Sequence, residues 1–402
     1  MIQTAPANFS ITSQLAEALT KYRNTAAFLG LIGLAACIAG WVTDPTQFYR
    51  SYLVGYFFWF GISLGSLALL MVQHATGGAW GMVIRRILEA GSRTLPYMAV
   101  LFLPIVFGIP SLYEWDDATK LAHDVILQKK HFYLNAPFWI ARAVLYFAIW
   151  NLMMYLLNKW SRQEDEEGGF KYGVLMEKLS APGIVVYVFT ITFCVTDWVM
   201  SLTPHWFSTI FGFLTVVSQG LSIFCFSICV LAMLCKVPPM SHVVTKKHLH
   251  DLGKLTLAFV MLWAYMSFSQ LLIIWSGNLP EEISWYQARL NNGWQYVGLI
   301  LLVFQFVVPF LILLSQPIKR NPKTLSMMAL FILAIRVIDI FWLVEPNFNT
   351  TSFHVSWLDF AAPIGVGGVF VALFLMELAK RPLMPLGAPD LQKTLAHGRH
   401  SH

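Results

Sequence analysis

Charge is what this sequence has least of. Only 12% of its 402 residues are charged, against 57% that are hydrophobic, and soluble domains usually carry about 25% charged residues. That deficit excludes a soluble enzyme and assigns the bulk of the chain to lipid. The formal charge of +6 is no sign of nucleic-acid binding, because the basic residues are scattered through short loops rather than clustered. Cysteine is also scarce. Cys37, Cys194, Cys225, Cys229 and Cys235 lie in apolar stretches, with no C-x-x-C and no spacing suited to zinc or an iron–sulfur cluster. They read as small core residues. Leu34-Ala35-Ala36-Cys37 looks like a lipoprotein cleavage site, but a long uncharged lead precedes it and apolar residues follow. Histidine is missing from the middle of every apolar run: His123, His131, His205, His242, His248, His250 and His354 fall in loops or at their edges. A membrane-embedded haem b needs ligands at mid-span. The expectation is therefore no haem, no iron–sulfur cluster and no metal on this chain.

What is present is a series of long apolar runs. Crossing a hydrocarbon core of about 30 Å takes roughly 20 residues of helix. Ten segments qualify: 25–43, 52–74, 94–113, 135–157, 181–200, 210–235, 253–276, 294–315, 323–344 and 358–379. The runs are continuous, without the period-two alternation of a barrel, so helices are the spanning form. The expected fold is an all-α integral membrane protein of one domain, with cytoplasmic tails at 1–24 and 380–402. No linker of more than about 25 residues interrupts it. With the N-terminus inside, twenty of the 27 Lys and Arg residues fall on the cytoplasmic side. Five (Arg50, Lys120, Lys129, Lys130 and Arg289) fall outside, and Arg142 and Arg336 lie within spans. This asymmetry places both termini in the cytoplasm and supports an even number of spans. The run Glu164-Asp165-Glu166-Glu167 reads as a solvated loop, and the end carrying His397, His400 and His402 as a disordered tail.

One internal repeat emerges. VTDWVMSLTPHWFST from Val195 aligns with VIDIFWLVEPNFNTT from Val337, placing Asp197 over Asp339, Pro204 over Pro346 and Trp206 over Phe348 at a constant offset of 142 residues. Both stretches run from inside to outside. The repeat is therefore parallel: two four-helix units, 52–200 and 210–344, flanked by the first and last helices. Inverted repeats, the commoner mark of secondary transporters, are not apparent.

Ionisable side chains inside spans are costly, which singles out Arg142, Asp197, Arg336 and Asp339. Arg142 and Asp197 reach depths within roughly 5 Å of each other at 1.5 Å per residue. Arg336 and Asp339 are three apart, on one helix face. Two readings stay open: a proton relay opening toward the outer face, or two buried ion pairs that lock helix packing. His74, ending the second span after Gln73, reads either as a point where protons enter or as a polar helix end. Trp263, Tyr265 and Gln270 line the seventh span. They suit a hydrated cavity or a quinone headgroup, and equally hydrogen bonds between helices.

The stretches DWVMSLTPHWFSTIFG from Asp197 and HDLGKLTLAFVMLWAYMSFSQ from His250 resemble the membrane subunits of alternative complex III. That complex is the bacterial quinol:cytochrome c oxidoreductase, and its membrane subunits belong to the wider polysulfide-reductase membrane-subunit family. The resemblance covers nearly the whole chain. It implies a place in the bacterial inner membrane, beside a second homologous membrane subunit, an iron–sulfur protein and cytochrome c subunits, with quinol or menaquinol as a substrate of the complex. The larger membrane subunit of that family carries a His in a G-I-G-H-A-G-like stretch on its second span. The comparable segment here is Gly61-Ile62-Ser63-Leu64-Gly65-Ser66, without His. The chain thus looks like the second, smaller subunit, for which proton conduction or scaffolding is the implied role and Asp197 the first residue carried over. A stand-alone transporter and a purely structural anchor are the competing classes.

Overall fold

A computed structural model describes residues 9–389 and 391. Ten helices are long and apolar enough to cross a membrane. They are α1 (Ser13–Thr43), α2 (Pro45–Thr76), α3 (Arg85–Phe107), α4 (Ala136–Glu167), α5 (Lys171–Trp198), α6 (Phe211–Leu234), α7 (Lys246–Gly277), α8 (Trp294–Leu314), α9 (Pro322–Val344) and α10 (Leu358–Leu378). No strand occurs among the described residues. The chain is an all-α, multi-pass membrane protein.

Local chemistry sets the helix starts. Asp44 caps α2, its carboxylate accepting from the Gln47 amide at 3.0 Å, with Pro45 in the first turn. Asn135 caps α4 and Asn321 caps α9 in the same way. α3 is broken into three short pieces, the second and third with a proline (Pro96, Pro104) in the first turn, where the missing N–H costs nothing.

Helices α2, α3, α4 and α5 pack in a ring, and α6, α7, α8 and α9 pack in a second ring of the same order. The two rings meet through α2, α5, α6 and α9. α1 packs chiefly on α10, which also rests on α2. The α1–α10 contact is backbone to backbone: a Cβ at Gly33 would lie 2.5 Å from Gly365 Cα. Small residues at such a crossing admit the close approach that holds helices together in lipid.

α1 begins at Ser13, inside the segment expected as the N-terminal tail. The C-terminal segment folds back, with Leu383 and Met384 fully buried and the Leu383 amide donating to the Phe9 carbonyl at 3.1 Å. Both described ends therefore lie on one face of the protein. The acidic run is not a loop but the last turn of α4: Glu166 and Glu167 are exposed, while Glu164 is buried and Arg85 of α3 meets it at 2.6 Å. α3 accordingly begins at Arg85 rather than 94, because its arginines are neutralised inside the fold. Arg85, Arg86 and Arg381 all pair with Glu89, Arg86 also with Asp165, and Arg93 with Glu377. The histidine-bearing end, His397 to His402, lies outside the described residues.

Candidate functional site

Asp197 sits on the last turn of α5, completely buried. Arg142 of α4 grips it from two sides, Nε to Oδ2 at 2.8 Å and Nη2 to Oδ1 at 2.9 Å, and the Tyr146 hydroxyl donates to Oδ2 at 2.9 Å. The Arg142 guanidinium lies 3.8 Å from the Tyr133 ring centre and donates to the Tyr133 carbonyl at 2.9 Å. Rings fill the remaining space: Phe102 and Trp198 are 4.2 Å apart between centroids, with Phe147 and Trp150 against them. A bidentate Arg–carboxylate pair with a third donor leaves the carboxylate little capacity to exchange partners.

The twin position in the second unit is built differently. Asp339 pairs with Arg336 one turn earlier on α9, and the Trp263 indole N–H of α7 donates to its Oδ2 at 3.2 Å. Asp339 also borders a cavity of about 470 Å³ between α7, α8 and α9, walled by apolar side chains such as Phe268, Leu299 and Leu302. α8 widens into a π-helix over Leu302–Val307 alongside it, just ahead of Pro309. That proline cannot donate to the Gln305 carbonyl four residues back, which favours the wider turn. The cavity is therefore an apolar chamber with a few polar groups in its wall. Among them, Gln270 Oε1 and Trp342 Nε1 are buried without a partner.

The helix Pro280–Leu290, which links α7 to α8, covers this chamber with Trp285 and Tyr286. Arg289 fastens it down. Its guanidinium is fully buried and donates to the carbonyls of Trp342 at 3.2 Å and Leu343 at 2.7 Å, stacked 3.5 Å from the Trp285 ring centre. Burial holds that guanidinium well below its ordinary pKa, with Tyr286 acting in the opposite direction. It works as a positive cap on the C-terminal end of α9.

Of the residues expected to matter, the structure brings Trp263 and Gln270 to the chamber with Asp339, sets Arg336 behind it as the ion-pair partner of Asp339, and leaves Tyr265 outside, 64% exposed on the outer face of α7. His74 stands apart, in a cleft of about 180 Å³ with Arg85, Glu164 and Glu177. Sequence reasoning missed a polar knot at the face opposite the termini. There Gln47 donates to Ser51 and Glu345, both at 3.0 Å, and Ser51 donates to Asp359 at 2.5 Å. Gln47, Ser51, Glu345 and Asp359 flank the spans expected from hydropathy or fall at their ends, so the search for charges within spans passed over them. Among the described residues no group of three or more His, Cys, Asp or Glu side chains forms a metal site.

No protein-family model matches the sequence, and no curated protein matches it. The chemistry has to be argued from the site. Asp339 borders an open chamber, whereas Asp197 is enclosed by a bidentate guanidinium.

Proposed function

We propose that this chain is the second, smaller membrane subunit of a bacterial quinol:cytochrome c oxidoreductase of the alternative complex III type, and that its part in proton movement centres on Asp339. The observation that carries the proposal is the difference between the repeats: Asp197 is sealed by Arg142 and Tyr146, while Asp339 borders the chamber. The sequence resemblance supplies the complex, the inner membrane and the partner subunits. The excess of Lys and Arg on one side supports cytoplasmic termini. Electron carriers belong to the partner chains in this reading.

A second reading concerns the chamber itself. Its apolar walls and the unpartnered Gln270 Oε1 and Trp342 Nε1 suit an amphiphile whose head both donates and accepts a hydrogen bond, as a quinol does. The Asp197 site supports a structural anchor, so the anchor role belongs to the first unit. The test is quinol:cytochrome c turnover with proton release by the purified complex, comparing wild type, Asp339→Asn and Asp197→Asn. Proton movement lost in Asp339→Asn alone, with turnover retained, is the expected result. Undiminished proton movement in Asp339→Asn sinks the proposal.

A further inference from the structure

A second, much smaller pocket of about 20 Å³ lies where the two units meet, and all its lining residues but Leu343 are buried. It shares Leu214 and Leu343 with the large chamber. The ion pair on α9 spans the two spaces: Asp339 lines the chamber and Arg336 lines the pocket. Arg336 Nε and Gln219 Nε2 are both buried donors without an acceptor. The hydroxyls around them have the opposite need. Ser222 Oγ already donates to the Ser218 carbonyl at 2.9 Å and Thr215 Oγ1 to the Phe211 carbonyl at 3.0 Å, so each oxygen is left only to accept. Thr215 and Ser222 stand seven residues apart on α6, about 10 Å along its axis, so it is the Ser222 oxygen that joins the two donors around a space the size of one water molecule.

We infer that this pocket is a built water site, and that its water, with Gln219, positions Arg336. The water site does not depend on the proposed function; the positioning of Arg336 rests on it. The bound water accepts from Arg336 and Gln219 and donates to Ser222. Gln219 is fixed in turn from the first unit: its Oε1 accepts from the Tyr187 hydroxyl of α5 at 2.8 Å, and its side chain packs 3.5 Å from the Cβ position of Gly61 on α2. A polar chain thus runs from Asp339 through Arg336, the water and Gln219 to Tyr187, joining the chamber of one unit to the core of the other. When Asp339 is protonated, Arg336 loses its counter-charge, and the water remains as a ligand of the guanidinium.

The test is a cryo-electron microscopy map of the protein, isolated from membranes with its bound subunits, at a resolution that shows other ordered waters. A single peak within hydrogen-bonding distance of Arg336 Nε and Gln219 Nε2 is expected. It should vanish in Gln219→Leu and weaken in Ser222→Ala, the latter a small change that keeps the test alive if the first variant fails to assemble. A map with clear waters elsewhere and none here overturns the inference, whatever the protein's activity. The pH profile of proton uptake should also be displaced in Gln219→Leu. An unchanged profile with the water lost refutes the positioning role of Gln219.

Discussion

Asp197→Asn probes the buried lock of the first unit. The carboxylate accepts two bonds from Arg142, at 2.8 and 2.9 Å, and a third from Tyr146 at 2.9 Å. An amide of the same shape turns one acceptor into a donor facing other donors and leaves a buried guanidinium without its counter-charge. Removing one partner of a buried pair costs about 3–5 kcal/mol, whereas replacing both by apolar residues of similar volume is often neutral or stabilising by about 1–4 kcal/mol. The single variant should therefore lose about 3–5 kcal/mol, and Arg142→Met combined with Asp197→Leu should lose less. Equilibrium unfolding in mild detergent, with Arg142→Met and Asp197→Leu measured singly to complete the cycle, reads the coupling. Turnover and proton release should persist in Asp197→Asn wherever the complex assembles. A loss below about 1 kcal/mol, or proton release abolished at unchanged stability, would refute the view of this pair as a lock.

The other predictions concern separate parts of the molecule. Gly298 lines the chamber, with its Cβ position 3.8 Å from Trp342. Gly298→Phe should fill that space and weaken binding of a naphthoquinone analogue, followed by tryptophan quenching, at least tenfold; unchanged binding argues against a headgroup site. Glu89→Gln removes the shared partner of Arg85, Arg86 and Arg381, and should cost about 3–5 kcal/mol in the same unfolding assay. Arg289→Leu strips the cap from the end of α9 and leaves buried carbonyls unsatisfied, at about 1–3 kcal/mol each. It should also open the linking helix to proteolysis. A Leu at Gly365 must displace the backbone of α1, which a Cβ there would approach to 2.8 Å at Gly33 C. Cross-linking between cysteines placed on α1 and α10 should then fall.

Hydropathy revealed the number of spans and their order, because each run is long and apolar. It misplaced several ends. α7 begins at Lys246 rather than 253, and α3 at Arg85 rather than 94, since a hydropathy window stops at the first charges whether or not they are neutralised. The partners of Arg85 and Arg86 on α4 lie 79 residues away in sequence, and nothing local announces such a pairing. The Asp197 and Asp339 positions were visible because a charge inside an apolar run stands out. Their different surroundings were not, since they depend on Arg142 standing across from one and on a chamber opening beside the other. Gln219 and Ser222 pass in sequence for ordinary polar residues on an apolar helix. Only the packing of α6 against α2 and α9 gives them a common purpose.

The α1–α10 crossing bears on how the protein is made. α1 leaves the ribosome before the other nine spans, yet most of its neighbours belong to α10. Until α10 is made, α1 waits in the bilayer with its glycine-lined face against lipid, held near its place chiefly by the short connection to α2. Closure of that crossing then becomes a late checkpoint: a truncated chain lacking α10 leaves α1 unattached, and membrane quality control has an exposed helix to recognise.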